Sequence, residues 1–285
     1  MRGGAAVSGL LLAACAGAAG WSASRLETID ADGAGAQVLY LPSGEYLTVV
    51  SLGYPGLLAD LIYLWSIQYY GNYDKADRFG YIEHVYNGVI AELDPHYVDP
   101  YLVGALIMET EAGEHEMALR LLEKGLRANP QEWILAFEAG FICFDGLGDY
   151  ARAARYFETA MAIPTAPPVI RRIHAEMFNR MGDKRRSLEH WSRIYEAADS
   201  DYVRDISWRH VHDLAIEVDV ETLSSAVASY RAAHGRLPAA LDDLVRAGLV
   251  GRIPADPDGR PYAYDPATGA VKSVSPWRLF RKDSR

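Results

Sequence analysis

The sequence predicts a mainly α chain: a solenoid of stacked helical hairpins with a small α+β module at its C-terminal end and a signal or anchor segment at its N-terminus. Three observations predict it. Gly113, Gly148 and Gly182 recur 35 and 34 residues apart. Five residues after each stands a small side chain, Ala118, Ala153 or Ser187, which opens an apolar stripe. A sixteen-residue run without charge, Ala5 to Gly20, lies near the N-terminus.

The stripes read Ala118, Leu122, Gly125, Leu126; Ala153, Phe157, Ala160, Met161; and Ser187, Trp191, Ile194, Tyr195. Spacing of i, i+4, i+7 and i+8 is one face of a 3.6-residue helix. A stripe repeating at this period marks hairpins that bury their apolar faces only by stacking on neighbours. Each turn glycine is expected to end a first helix in left-handed backbone, where a Cβ costs energy. The small residues let the second helix approach closely, and Leu122, Phe157 and Trp191 fill the groove between. Core packing accounts for nearly all of these positions.

The three units resemble tetratricopeptide (TPR) repeats. The first, about 99–132, ends in Asn129-Pro130 and has Leu106 where the family carries a glycine in its first helix. The second, about 133–166, has Gly148-Asp149-Tyr150 and closes early, at Pro164. The third, about 167–200, has Gly182-Asp183, Ser187 for the usual alanine, and no closing proline. The resemblance covers roughly a third of the chain and implies a protein-binding scaffold.

Ahead of the repeats, residues 54–98 read as a capping hairpin: an apolar helix from Pro55 to Tyr70, expected to be buried, and a second from Asp77 to Leu93. Residues 21–53 read as a linker with a β-prone stretch, Val38 to Ser51, around a Pro-Ser-Gly turn. Residues 201–218 read as a closing cap, with a new helix starting at Asp219. Residues 219–276 form the C-terminal module, in which Tyr262–Tyr264 and Ala270–Ser273 are expected to pair, and 277–285 a basic tail. Tyr230, Gly235 to Pro238, Leu241, Leu244, Asp256-Pro257, Gly259 and Pro261-Tyr262 with Tyr264 resemble the C-terminal region of type II secretion major pseudopilins and related type IV pilin-like proteins. The long apolar assembly helix of that family is missing here, so the resemblance implies a borrowed module and an association with pilus-like machinery.

The Ala5–Gly20 run is short for a full span, which needs about twenty residues, and suits a signal peptide. Leu12-Ala13-Ala14-Cys15 also resembles a bacterial lipobox, which would make Cys15 a lipidation site. Signal peptide, lipoprotein signal and uncleaved anchor stay open, all placing the chain on the periplasmic side of a bacterial envelope. The net charge of −10 argues against a nucleic-acid partner. The cluster Lys184-Arg185-Arg186 with Arg171 and Arg172 reads as a solvated face.

Eleven of the eighteen tyrosines fall between Tyr40 and Tyr101. Tyr63, Tyr69, Tyr70, Tyr73, Tyr81 and Tyr86 are the candidate lining of a partner groove, because tyrosine is enriched at contacts; interhelical packing is the competing reading. Asp256, Asp258 and Asp265 offer oxygen ligands of the type calcium takes. Their spacing lacks a dense acid ladder, and Asp-Pro and Asp-Gly are ordinary turn formers. His210 and His212, two apart on a helix, point in different directions. Cys143 lacks an evident base and reads as core. Without a phosphate loop, nucleophile elbow or zinc signature, no cofactor and no catalytic residue is expected. The expected function is a non-enzymatic envelope scaffold that holds protein partners; the alternative is a metal- or glycan-binding envelope protein using the tyrosine-rich hairpin or the aspartate loop.

Overall fold

The three turn glycines all take left-handed backbone, with φ of 71°, 64° and 78° at Gly113, Gly148 and Gly182. In the first two turns the chain closes on itself, the Glu114 and Asp149 N–H groups donating to the carbonyls of Met108 (2.7 Å) and Cys143 (2.8 Å). The residue after the glycine then starts the next helix. Asp149 and Asp183 cap by accepting from the N–H groups of Arg152 (2.9 Å) and Arg186 (3.1 Å). Glu114 in the first unit makes no such side-chain cap.

This computed structural model describes residues 41–73 and 78–279; the readings on the N-terminal run, Cys15 included, lie outside the described residues. Helices α1 (Gly44–Val50) and α2 (Pro55–Tyr70) precede α3, residues 84–93, which is π-helical over His84–Ile90 and α-helical over Ala91–Leu93. The first hairpin is α4 (Val98–Thr110) with α5 (His115–Ala128). The second is α6 (Trp133–Phe141), prolonged by the π-helical Ile142–Gly146, with α7 (Tyr150–Met161). The third is α8 (Val169–Arg180) with α9 (Lys184–Glu196), and α10 (Asp201–His234) follows. Each helix from α4 onward packs on the next, giving a TPR-like solenoid. A short α11 (Asp242–Arg246) and an antiparallel pair, β1 (Ala263–Asp265) with β2 (Ala270–Lys272), complete the small α+β module.

Rings seated on glycines set the helix spacing. An added Cβ would come within 2.6 Å of the Tyr86 ring at Gly104, 2.7 Å of Tyr101 at Gly125 and 2.7 Å of Phe157 at Gly140. The first unit, with Leu106 at the family's glycine position, thus has Gly104 at its close approach. Ala118, Leu122, Ala153, Phe157, Ala160, Ser187 and Trp191 are all buried. Ser187 is accommodated in place of the usual alanine because its hydroxyl finds an acceptor, the Ala175 carbonyl at 3.0 Å.

Four sequence expectations are corrected. The described part of the β-prone stretch is helical: Ser43 caps α1 by accepting from the Tyr46 N–H at 3.4 Å, and contact with α3 overrides the strand propensity of its residues. Residues 78–81, expected within the second capping helix, form a turn ahead of α3, and the expected start at Asp77 lies outside the described residues. Helix α2 is not buried all round, since Leu57, Leu61 and Leu64 are each more than half exposed. The expected restart at Asp219 is absent, because α10 runs unbroken for 34 residues from its Ser200 cap to left-handed Gly235 (φ 69°). Up to Leu214 it packs with Ala175 and Trp191; from Ile216 it packs with Leu241, Leu244, Tyr262 and Val271. The loss of repeat phase is a change of neighbour, not a break in the helix.

Gly140→Ala tests the ring-on-glycine contact. Alanine favours a helix over glycine by about 1 kcal/mol, yet overpacking against Phe157 is expected to cost about 1–3 kcal/mol. A denaturation midpoint lower than that of the natural protein is the expected result.

Candidate partner-binding surface

The six candidate tyrosines divide between core and surface. Tyr63, Tyr70 and Tyr86 are buried, with ring centroids 6.4 Å apart for Tyr63–Tyr86 and 5.9 Å for Tyr70–Tyr86. Burial pushes the Tyr86 hydroxyl up to about 12 and raises that of Tyr70 as well. Ser66, buried beside them, donates to the Tyr63 carbonyl (2.7 Å) and is hydrogen-bonded to the Tyr86 hydroxyl (3.0 Å). These three therefore pack α2 on α3 rather than lining an open groove. Tyr69 is half-buried, its ring 4.9 Å from that of Trp65. Tyr73 and Tyr81 are 73 % and 44 % exposed.

The apolar residues that do face water on the N-terminal helices lie elsewhere. Leu57, Leu61 and Leu64 stand at i, i+4 and i+7 on α2. Leu52, 85 % exposed, is held in left-handed backbone (φ 53°) between α1 and α2. That conformation costs a non-glycine residue roughly 1–2 kcal/mol.

A second surface runs along α6. Trp133, Phe137 and Phe141 follow at i, i+4 and i+8, with neighbouring rings 6.0 and 6.3 Å apart. Phe144, in the π-helical end of α6, meets Phe141 at 5.9 Å, and Tyr150 of α7 meets Phe144 at 6.1 Å. The five rings form a continuous ladder in which Phe141 is 42 % exposed and the other four are half-buried. Glu138 lies beside the ladder; burial and the nearby Glu109 charge hold its carboxyl above the usual range. No reading of the sequence singled this row out, although its i, i+4, i+8 aromatic spacing was the available signal.

The three loop aspartates are not brought together. Asp256 accepts from the N–H groups of Asp258 (3.1 Å) and Arg260 (2.8 Å) and from Ser273 (2.8 Å). Burial alone would raise its carboxyl, but these bonds and the Ser275 hydroxyl outweigh burial and leave it lowered. Asp258 pairs with Arg278 at 2.9 Å, and Asp265 accepts from the Ala267 N–H (2.9 Å) and Thr268 (2.7 Å). Among the described residues, no group of three or more His, Cys, Asp or Glu is placed to hold a metal ion.

His210 and His212 do point apart. His210 stacks on Trp191 with centroids 3.8 Å apart, while His212 is fully buried, its Nδ1 2.8 Å from Asp213 and its Nε2 3.4 Å from Asp258. Asp213 is buried too, and accepts the N–H groups of Arg278 and Leu279 at 2.9 Å each. This histidine–aspartate pair latches the C-terminal tail to α10 and presents no surface to a substrate. Cys143 is likewise buried, and burial pushes its thiol up to about 11, away from the reactive thiolate.

No protein-family model matches the chain, and no curated protein matches it. Among solved structures, it is similar to a thermophilic TPR protein of Thermus thermophilus, at 20 % identity and a TM-score of 0.35, over 58 % of this chain and 94 % of that one. The helical-hairpin architecture rests on the turns, caps and close contacts described above.

Asp213→Ala is expected to free the tail and to leave the Arg278 and Leu279 N–H groups unpaired, costing about 1–3 kcal/mol. Trypsin should then cut the Arg278–Leu279 bond faster than in the natural protein. Equal cleavage rates would refute the latch.

Proposed function

We propose that this chain is a non-enzymatic TPR scaffold of the bacterial cell envelope whose second hairpin grips a protein partner. The aromatic ladder of α6 carries the reading. Large rings that stand half in water on a stiff support gain most by being covered, and they supply contact area at little entropic cost. A stacked-hairpin body offers that support over a wide surface. Cys143 and His212 are buried and serve packing and the latch.

Attachment through the N-terminus belongs to the same proposal. The uncharged Ala5–Gly20 run and Cys15 support it in sequence, as does the leucine row that α2 leaves in water. No described helix is long and apolar enough to cross a membrane. The pilin-like tail is proposed to dock on secretion or pilus-type machinery. Tyr230, Leu241, Leu244 and Tyr262, which carry that resemblance, build the core of the small module.

Two measurements test these proposals. A photo-crosslinker placed at Phe144 in living cells is expected to trap one discrete protein, and Phe141→Ala to reduce that adduct about tenfold while leaving the melting temperature nearly unchanged, as suits a residue of modest burial. An adduct that is indifferent to Phe141→Ala would sink the ladder as a binding site. Mass spectrometry of the mature N-terminus is expected to find either a diacylated Cys15 or an apolar segment retained in the membrane fraction. Recovery of the intact chain entirely from the soluble fraction would remove attachment.

A further inference from the structure

A cleft of about 460 Å³ opens between α8, α9, the end of α7 and the start of α10. Its walls are apolar, from Met161, Val169, Ile194 and Val203. Around them stand three guanidinium groups, those of Arg171, Arg172 and Arg193, with Asp199 the acid among the lining residues. Among the described residues none of these three arginines forms an ion pair, and Arg172 instead lies over the Tyr202 ring at 5.9 Å. Lys184, by contrast, pairs with Glu217 at 3.0 Å.

Two imidazole rings also line the cleft. His174 lines the cleft at 4 % exposure, and its Nδ1 has no hydrogen-bond partner among the described residues. His190, also lining the cleft, meets it edge-on at 4.9 Å and stacks on Phe178 at 4.8 Å. Burial holds the His174 imidazole down at about 4 and lowers that of His190, so both rings are neutral near pH 7. The positive charge of the cleft therefore comes from its arginines. The N-terminus of α8 and the C-terminus of α9 both border it, so their opposite dipoles offset one another.

We propose that this cleft binds an apolar group carrying a carboxylate, its body between Val169, Ile194 and Val203 and its charged head on Arg172 and Arg193. The planar guanidinium matches a carboxylate through paired N–H donors. The volume lies in the range of small-molecule sites, where apolar walls hold the body and a few polar groups orient it. An inorganic anion would leave the apolar walls unused, and a neutral apolar molecule would leave the arginines unpaired. The site lies on the third hairpin, apart from the aromatic ladder, and stands or falls without it.

Calorimetric titration of the full-length chain with 4-phenylbutanoate, against its uncharged isostere 4-phenyl-1-butanol, tests the inference. The acid is expected to bind at least about tenfold more tightly than the alcohol, as a charge-assisted hydrogen bond provides. Arg172→Ala with Arg193→Ala should abolish that preference at an unchanged Tm; should the double variant unfold, Arg193→Gln alone is expected to narrow it. Titration with acetyl-Ala-Ala-Leu as free acid and as amide identifies the source: a peptide acid that binds more tightly than 4-phenylbutanoate points to a chain terminus, and the reverse to a free acid. Equal affinity for acid and alcohol, no saturable binding of either acid, or an undiminished preference in the arginine variants overturns the proposal.

Discussion

The close approach of rings to glycine backbone is the contact on which the stack depends. Tyr86 sits on Gly104, Tyr101 on Gly125 and Phe157 on Gly140, each closer than a Cβ would permit. The contacts differ in which helix gives the ring: α3 to α4, α4 to α5, and α7 to α6. What recurs is the pairing of a large flat side chain with a bare backbone, which lets axes approach and fills the gap in one step. The tyrosines used this way keep their hydroxyls protonated through burial and find polar neighbours. Tyr101 donates to the Pro95 carbonyl at 3.1 Å, in the turn that precedes α4.

Polar links between successive hairpins follow the same step. Arg120 reaches Glu83 at 3.0 Å, Arg152 reaches Glu116 at 2.6 Å, and Lys124 meets Glu92. Each joins a second helix to its predecessor one repeat back. Exposed pairs of this kind contribute about 0–1 kcal/mol each. They favour one register of stacking but do not drive it; the buried rings and aliphatic side chains do. Helix α10 extends the principle, burying one stretch against α9 and the next against the hairpin module, so that two cores share a rigid element.

What the sequence disclosed follows from the range of each interaction. The turns were legible because glycine's left-handed backbone and the aspartate cap act within a few residues, and all three turns form where the repeats place them. The β1–β2 pairing was legible for the same reason. The tail latch was not, since Asp258 and Arg278 are 46 and 66 positions beyond His212 and no local pattern links them. Helix α1 was misread because its valines and tyrosine favour strands in isolation, whereas contact with α3 decides the outcome. Among the tyrosines, composition identified an aromatic region without separating Tyr63, Tyr70 and Tyr86, which face the core, from Tyr73 and Tyr81, which do not. Both basic residues of the Arg171-Arg172 pair line a cleft whose third arginine, Arg193, lies on another helix.

Exposed aromatics usually weaken a design by inviting aggregation, and a repeat stack explains how they are tolerated here. The interior of each hairpin is closed by residues such as Leu122, Phe157 and Trp191, and the row on α6 meets that interior at Phe137, whose ring lies 5.7 Å from that of Phe157. Phe141 touches Phe137 and Phe144 but leaves 42 % of its surface in water. On α6 the buried Leu135, Ala136, Ala139 and Gly140 hold the core, while Phe141 on the same helix remains available for contact. The π-helical turn at Ile142–Gly146 bears on this division. From Gly113 to Gly148 the chain advances 35 residues, one more than from Gly148 to Gly182. A π-helical turn takes up an added residue inside a helix without ending it. In this turn Cys143 is buried and Phe144 lies beside Phe141, so the aromatic row extends past Phe141 while the core beneath it stays closed.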